Sequence, residues 1–236
     1  MTASEHRHVA LVTGASRGLG RALTAELVTR GWHVVVDARD GTRLAAVVDE
    51  LRAPGAVRAI AGDVTDPAHR HALAEAVDQA GGLDLLVNNA SVLGPSPQPR
   101  LADYPLDVLE RVYAVNTVAP LALVQLLLPY LEKRGGRVVD ISSDAAVEAY
   151  AGWGGYGSAK AALDQLSAIL AAEHPDLRVY ALDPGDMATE LQQQAFPDED
   201  VSDRAAPEAV VPALLRLVEG DLASGRYRAA DLTAAR

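Results

Sequence analysis

One alternation runs through nearly the whole chain and constrains its fold more than any other feature. Short apolar runs rich in β-branched residues are each followed by a glycine or polar corner and then by a stretch apolar at helical spacing. The runs are His8–Thr13, Val34–Val36, Val57–Ala61, Leu83–Val87, Gly136–Ile141 and Leu177–Leu182. Helices are predicted over 21–31, 42–51, 67–79, 105–133 and 156–173, then over 207–219, before a last edge strand at Gly225–Arg228. Pro67 suits a first helical position, where no N–H is needed, and Pro120 is expected to kink the long helix. Strands alternating with helices of this length predict an α/β fold: a doubly wound parallel sheet with right-handed crossovers and helices on both faces. No linker or repeat interrupts the 236 residues, so a single domain over 1–236 is expected.

The first strand-to-helix corner reads Gly14-Ala-Ser16-Arg17-Gly18-Leu19-Gly20. Glycines at such a corner permit a tight turn and close backbone approach, and they present a helix N-terminus to a pyrophosphate. Strand ends elsewhere carry Gly62-Asp63-Val64, Asn88-Asn89-Ala90, Ser142-Ser143 and Asp183-Pro184-Gly185-Asp186-Met187-Ala188-Thr189. Carboxyl ends of parallel strands are where ligands bind in such sheets. The segment 91–100, with Pro95, Pro97 and Pro99, forms a stiff rim there, and the polar, acidic stretch within 186–206 is expected to form a flap over the site.

Tyr156 and Lys160 stand four apart at the start of a predicted helix, which puts both on one face. A phenol ordinarily holds its proton to a pH of about 10, and a neighbouring ammonium lowers that value, making the tyrosine a usable general acid and base. Trp153 stands among Gly152, Gly154 and Gly155, and it either projects toward a substrate mouth or packs under the loop. Leu93 and Met187 are further candidates for the substrate pocket.

Several classes are excluded. A net charge of −11 opposes a nucleic-acid surface. Cysteine is absent, so there is no disulfide frame, thiol nucleophile or thiolate metal site, which suits a cytoplasmic location. The opening MTASEHRH lacks a signal-peptide core. The run from Val118 to Leu131, broken by Pro120, Gln125 and Pro129, is shorter than the roughly 18 residues of a membrane span. The histidines, among them His69, His71 and His174, sit in polar surroundings without metal-site spacing, so no metal is expected.

Taken together, TGASRGLG at 13–20, NNA at 88–90, Asn116, Ser143, YGSAK at 156–160 and DPGDMAT at 183–189 resemble the short-chain dehydrogenase/reductase family, in its order and over nearly the whole chain. The resemblance implies a Rossmann-type nicotinamide-cofactor domain. Its cofactor contacts would fall on Gly14, Ser16, Arg17, Gly18, Leu19, Gly20, Ala38, Arg39, Asp63, Val64, Asn89, Ala90, Tyr156, Lys160, Pro184, Gly185, Met187 and Thr189. In reduction Tyr156 would protonate the developing alkoxide, Ser143 would hold the carbonyl oxygen, and Lys160 would lower the tyrosine pKa and bind ribose hydroxyls. Asn116 would position a relay water, unless it is a helix-interior amide satisfying a neighbouring backbone group. One departure is Ser91, where the family usually has glycine.

At the end of the second strand the family's NAD-selecting carboxylate falls on Ala38, with Arg39 and Arg17 nearby, so NADP(H) is expected over NAD(H), with Asp37 as the complication. A narrower similarity, over 150–194, is to sepiapterin reductases and related bacterial reductases, although Asp231 is offset from their pterin-holding aspartate. The expected activity is NADPH-dependent reduction of a small ketone or dicarbonyl by a homodimer or homotetramer. The alternatives are alcohol oxidation at the same site and a catalytically silent cofactor-binding regulator.

Overall fold

The computed structural model describes residues 7–51 and 55–234; most of the N-terminal segment read above for a leader lies outside them. Seven strands, β1 (Val9–Val12), β2 (His33–Ala38), β3 (Val57–Ala61), β4 (Leu85–Asn88), β5 (Arg137–Ile141), β6 (Arg178–Asp183) and β7 (Gly225–Arg228), form one sheet in the order β3-β2-β1-β4-β5-β6-β7. Every neighbouring pair is parallel, as with Ala10 beside Val34 and Leu85. Alternation along β1 sends Ala10 and Val12 into one core and Val9 and Leu11 into the other, so both faces need cover.

One face is covered by α1 (Gly18–Thr29) and α8 (Val211–Glu219), with Leu44 of α2 (Gly41–Leu51) and Leu232 of α9 (Ala229–Ala234). The other is covered by α3 (Pro67–Gln79) and α5 (Ala119–Arg134), with Leu170 of α6 (Gly154–Glu173) packed against it. Asp66 caps α3 by accepting from the Ala68 N–H at 2.9 Å, with Pro67 at its first position as expected. In α5, Leu123, Leu127 and Leu131 recur at a spacing of four and are buried. Burial of each such side chain contributes about 1.5–3 kcal/mol.

The long helical run departs from expectation at its middle. It comprises α4 (Leu106–Tyr113), a π-helical turn over Ala114–Val118 and α5, so the irregularity lies at Asn116 and not at Pro120, which occupies the first turn of α5 and needs no N–H partner there. Pro129 is accommodated inside α5. Together these elements make 29 residues, long and apolar enough to cross a bilayer, contrary to the shorter run read above. Half of the apolar window is buried against this chain's own sheet, as in a core helix.

The chain leaves β1 for β2 and β3 on one side and returns to β4 on the other. The crevice at the carboxyl ends of β1 and β4 is therefore the topological switch point, the place where open α/β sheets bind ligands.

Candidate active site

A cavity of about 840 Å³ lies at that crevice. Of the residues assigned to the site from sequence, all line it except Gly20, Leu93 and Asn116. Gly20 is buried packing: a Cβ there would stand 2.5 Å from Asn89 Nδ2 and 2.7 Å from the Gly14 carbonyl oxygen. Leu93 is 1% exposed and packs beneath the site against Ala145 and Tyr156, so it is not a pocket residue; Val92 lines the cavity in its place. Asn116 is fully buried on the π-helical turn. Its Oδ1 accepts from the Val92 N–H at 2.9 Å and the Ser91 hydroxyl at 3.2 Å, and its Nδ2 donates to the Val92 carbonyl at 2.9 Å. The amide thus clamps the loop after β4, satisfying the Val92 backbone as the second of the two expectations for it held.

The glycine turn is built to leave donors open. Gly14 and Gly18 have φ of +67° and +55°, and Gly14 has no room for a side chain because its Cβ would meet Ala90 Cα at 2.9 Å. Helix α1 begins after Arg17 with no side-chain cap, so its first-turn N–H groups face the cavity beside Ser16 and Gly18. Asn89 donates to the Thr13 and Gly14 carbonyls at 2.8 and 3.1 Å, tying the end of β4 to the turn. An unsatisfied helix N-terminus at a glycine turn fits a dinucleotide pyrophosphate.

At the end of β2, Ala38 brings no carboxylate and the Arg39 guanidinium has no hydrogen-bond or ion-pair partner among the described residues. Asp37 borders the cavity, but both of its carboxylate oxygens are engaged within the protein. It is 1% exposed, accepts from the Gly14 N–H at 2.8 Å and contacts His69 Nε2 at 3.0 Å. Burial pushes its carboxyl up, against these two hydrogen bonds. His69 is accordingly buried and not in the polar surroundings read from sequence. Arg17 pairs with Glu190, which also binds Arg43 at 2.8 Å.

Arg43, Arg111 and Phe196 are residues the sequence reading missed. Arg43 and Arg111 line the cavity. Arg111 pairs with Asp63 and reaches Thr65 at 2.7 Å. Although partial burial pushes the other way, hydrogen bonds from Thr65 and Arg111 hold Asp63 at about 2. The acid–arginine pairing across 48 residues left no local pattern to find.

Tyr156 and Lys160 share the inner face of α6 and line the cavity with Ser143. Lys160 Nζ donates to the Ile141 carbonyl at 2.7 Å and lies 5.6 Å from the Tyr156 ring centroid. Burial pushes Lys160 down to about 8, opposed by Asp140 and Asp164. Burial also pushes Tyr156 up to about 12, with a hydrogen bond from Ser91 acting downward and Asp144 and Asp183 upward. The phenol is thus raised and not lowered as expected, because desolvation is the largest influence on it and Lys160 Nζ is held on a backbone carbonyl. Ser143 donates to Asp144 Oδ1 at 2.9 Å.

Trp153 lines the cavity and also packs under the flap. Its ring meets Tyr156 edge-on at 5.9 Å and Phe196 at 5.9 Å. The surrounding glycines do not leave open space, since Cβ atoms at Gly154 and Gly155 would strike Leu101 at 2.6 Å and Tyr104 at 2.3 Å. Segment 186–206 carries α7 (Glu190–Ala195), capped by Thr189, and the proline-rich rim joins it through Ser96 Oγ to the Gln194 carbonyl at 2.7 Å. Asp231 stands in α9 and does not line the cavity. Among the described residues no three His, Cys, Asp or Glu side chains come together as a metal site.

The model of the family described as short chain dehydrogenase matches residues 8–200. A benzil reductase of Saccharomyces cerevisiae is 32% identical over 216 residues, 88% of this chain and 80% of its own. Mouse sepiapterin reductase is 36% identical over 201 residues (79% and 77%), and a rhamnolipid 3-oxoacyl-[acyl-carrier-protein] reductase of Pseudomonas aeruginosa is 37% identical over 188 (73% and 71%). For a short chain dehydrogenase of Emericella nidulans the match spans 65% of the relative's length. Among solved structures, a short chain dehydrogenase of Shigella flexneri complexed with NADP superimposes with a TM-score of 0.88 at 28% identity, over 94% of this chain and 97% of that one. With the parallel seven-stranded sheet, the glycine turn and the Ser143, Tyr156 and Lys160 cluster, these matches show that the chain belongs to the short-chain dehydrogenase/reductase family, the NAD(P)-dependent oxidoreductases of this fold.

Proposed function

We propose that this protein reduces a small ketone or dicarbonyl bearing a planar ring, with NADPH as reductant. The observation that carries the reading is the meeting of Ser143, Tyr156 and Lys160 in one cavity whose wall is Trp153. NADPH, when bound, supplies the hydride. The uncapped N-terminus of α1 would hold its pyrophosphate, Arg39 and Arg43 would take the 2′-phosphate, and Lys160 would hold the ribose hydroxyls. Tyr156 gives its proton to the oxygen that becomes the alcohol. Ser143, turning its hydroxyl from Asp144, donates a hydrogen bond to the same oxygen, an interaction that strengthens as negative charge develops there. Trp153, backed by Phe196, orients the ring by stacking.

Support for a ring comes from the aromatic wall and from relatives named for benzil and sepiapterin. The acyl-carrier relative represents the competing class, but the flap stretch FPDEDVSD is acidic and suits a carrier protein poorly. A panel of cyclic diketones, sepiapterin and acetoacetyl thioesters tests the choice. Trp153→Ala is expected to lower kcat/KM for the best ring substrate about tenfold, in line with a lost aromatic contact of about 1.5 kcal/mol. A preference for thioesters, or an unchanged kcat/KM, would sink the ring assignment.

Preference for NADPH follows from an Ala at the NAD-selecting position, an unpaired Arg39 and an Asp37 turned inward. Arg39→Ala is expected to raise KM for NADPH about tenfold and leave NADH nearly unchanged, the difference being one charge-assisted phosphate contact. An equal effect on both cofactors in steady-state kinetics would refute that role.

The protein is further proposed to be a homo-oligomer. In α5, Leu127 is buried in the core, and Leu126 and Leu128 are partly buried against it. It is Val118, Leu121 and Ile169 that leave apolar surface exposed along the π-helical turn, α5 and α6. Light scattering at micromolar concentration should give a dimeric or tetrameric mass, and a strictly monomeric one would count against the interface.

A further inference from the structure

The buried contact between Asp37 and His69 has no part in the chemistry described above, yet it sits directly behind the glycine turn. Asp37 holds two N–H groups of that turn, Gly14 through Oδ1 at 2.8 Å and Ala15 through its main-chain carbonyl at 2.9 Å. Its other carboxylate oxygen, Oδ2, meets His69 Nε2 at 3.0 Å. An ionised carboxylate only accepts, so Nε2 is the donor. The imidazole is wedged in place from the far side: a Cβ on Gly62 would lie 2.2 Å from its Nδ1, so only glycine fits there. Gly14 has no slack of its own, given its positive φ and the 2.9 Å that would separate a Cβ on it from Ala90 Cα.

We propose that His69, through Asp37, is a positioning residue for cofactor affinity: its Nε2–H fixes the carboxylate that holds the Gly14 N–H, and so sets the turn that receives the dinucleotide. Removing the donor leaves Oδ2 buried without a partner. The carboxyl then takes up a proton or rotates, and either change loosens the charge-assisted bond to Gly14. The α1 N-terminus follows directly after this turn, so its open N–H groups lose their alignment. The pair lies behind the part of the site common to both nicotinamide cofactors, and its loss therefore weakens NADPH and NADH alike. That separates it from Arg39, whose effect is confined to the 2′-phosphate.

The inference rests on the cavity being the NAD(P) site, and the experiment tests the two separately. Kd for NADPH and for NADH is measured by calorimetry on the wild type, His69→Leu and His69→Gln, with kcat, KM and thermal midpoints on the same preparations. His69→Leu is expected to raise Kd for both cofactors about tenfold, equivalent to about 1.4 kcal/mol, with kcat at saturating cofactor within about twofold of the wild type. His69→Gln, which keeps an N–H near the Nε2 position, should restore most of the affinity. A wild type that binds neither cofactor would overturn the site assignment. A wild type that binds, with folded His69→Leu binding equally well or His69→Gln losing as much as His69→Leu, would overturn the positioning role. Should His69→Leu not fold, Asp37→Asn decides: a Kd raised about threefold or more supports the role, because a neutral amide holds Gly14 less strongly, and an unchanged Kd refutes it.

Discussion

Tyr156→Phe is expected to lower kcat by about 10²- to 10⁴-fold, the range for loss of a positioned general acid, while cofactor Kd and thermal midpoint stay near wild type. The substitution removes one hydroxyl and keeps the ring that packs against Leu93, Ala145 and Trp153. The phenol is the group with a proton to give at the head of α6, and burial pushes it up to about 12, so it remains protonated at neutral pH and is ready to act in reduction. Alkaline pH affects Lys160 first, since burial pushes that ammonium down to about 8. Single-turnover and steady-state rates with a carbonyl substrate measure the effect, and a Tyr156→Phe enzyme working near the wild-type rate would show that the acid lies elsewhere.

The second large effect is expected from Gly20→Ala, at a residue that touches no part of the cavity. The added methyl would lie 2.7 Å from the Gly14 carbonyl oxygen and 2.5 Å from Asn89 Nδ2. Asn89 is the amide that ties the ends of β1 and β4 together, through 2.8 and 3.1 Å bonds to the Thr13 and Gly14 carbonyls. Neither a helix backbone nor a turn carbonyl can retreat without moving the other. Overpacking of this kind costs about 1–3 kcal/mol, and it would lower the thermal midpoint by a few degrees. Because the displaced atoms are the turn itself, cofactor affinity should fall more than tenfold, at a cost above about 1.4 kcal/mol. Denaturation curves with and without NADPH give both readouts. A variant with wild-type cofactor-induced stabilisation would show that the turn absorbs a methyl group after all.

How much of this was written in the chain differs from residue to residue. Tyr156 and Lys160 were legible because their relation is local: four residues on a helix lie on one face whatever surrounds them. The sheet was legible for the same reason, since short apolar runs alternating with helices leave few parallel arrangements, and β3 and α3 were predicted to the residue. The Gly14–Gly20 corner announced a nucleotide turn, but its sequence does not separate a glycine that lines the cavity, as Gly18 does, from one needed for close packing, as Gly20 is.

What the sequence left undecided was settled by contacts between distant segments. Asp37 was ambiguous until His69, 32 residues on, drew it inward, and Leu93 looked like a pocket residue until Ala145 and Tyr156 closed over it. Asn116 became a clamp for the Ser91–Val92 loop because a π-helical turn brought it there, and the phenol of Tyr156 rose instead of falling because burial, with Asp144 and Asp183 beside it, disfavours the phenolate. By itself, then, the sequence determined what depends on spacing along the chain: the order of strands and helices, the glycine turn and the reacting pair. Which way each polar side chain points, and what its surroundings do to its charge, was decided only in the folded structure, because hydrogen-bond partners and exclusion from water are properties of neighbours that meet across the fold.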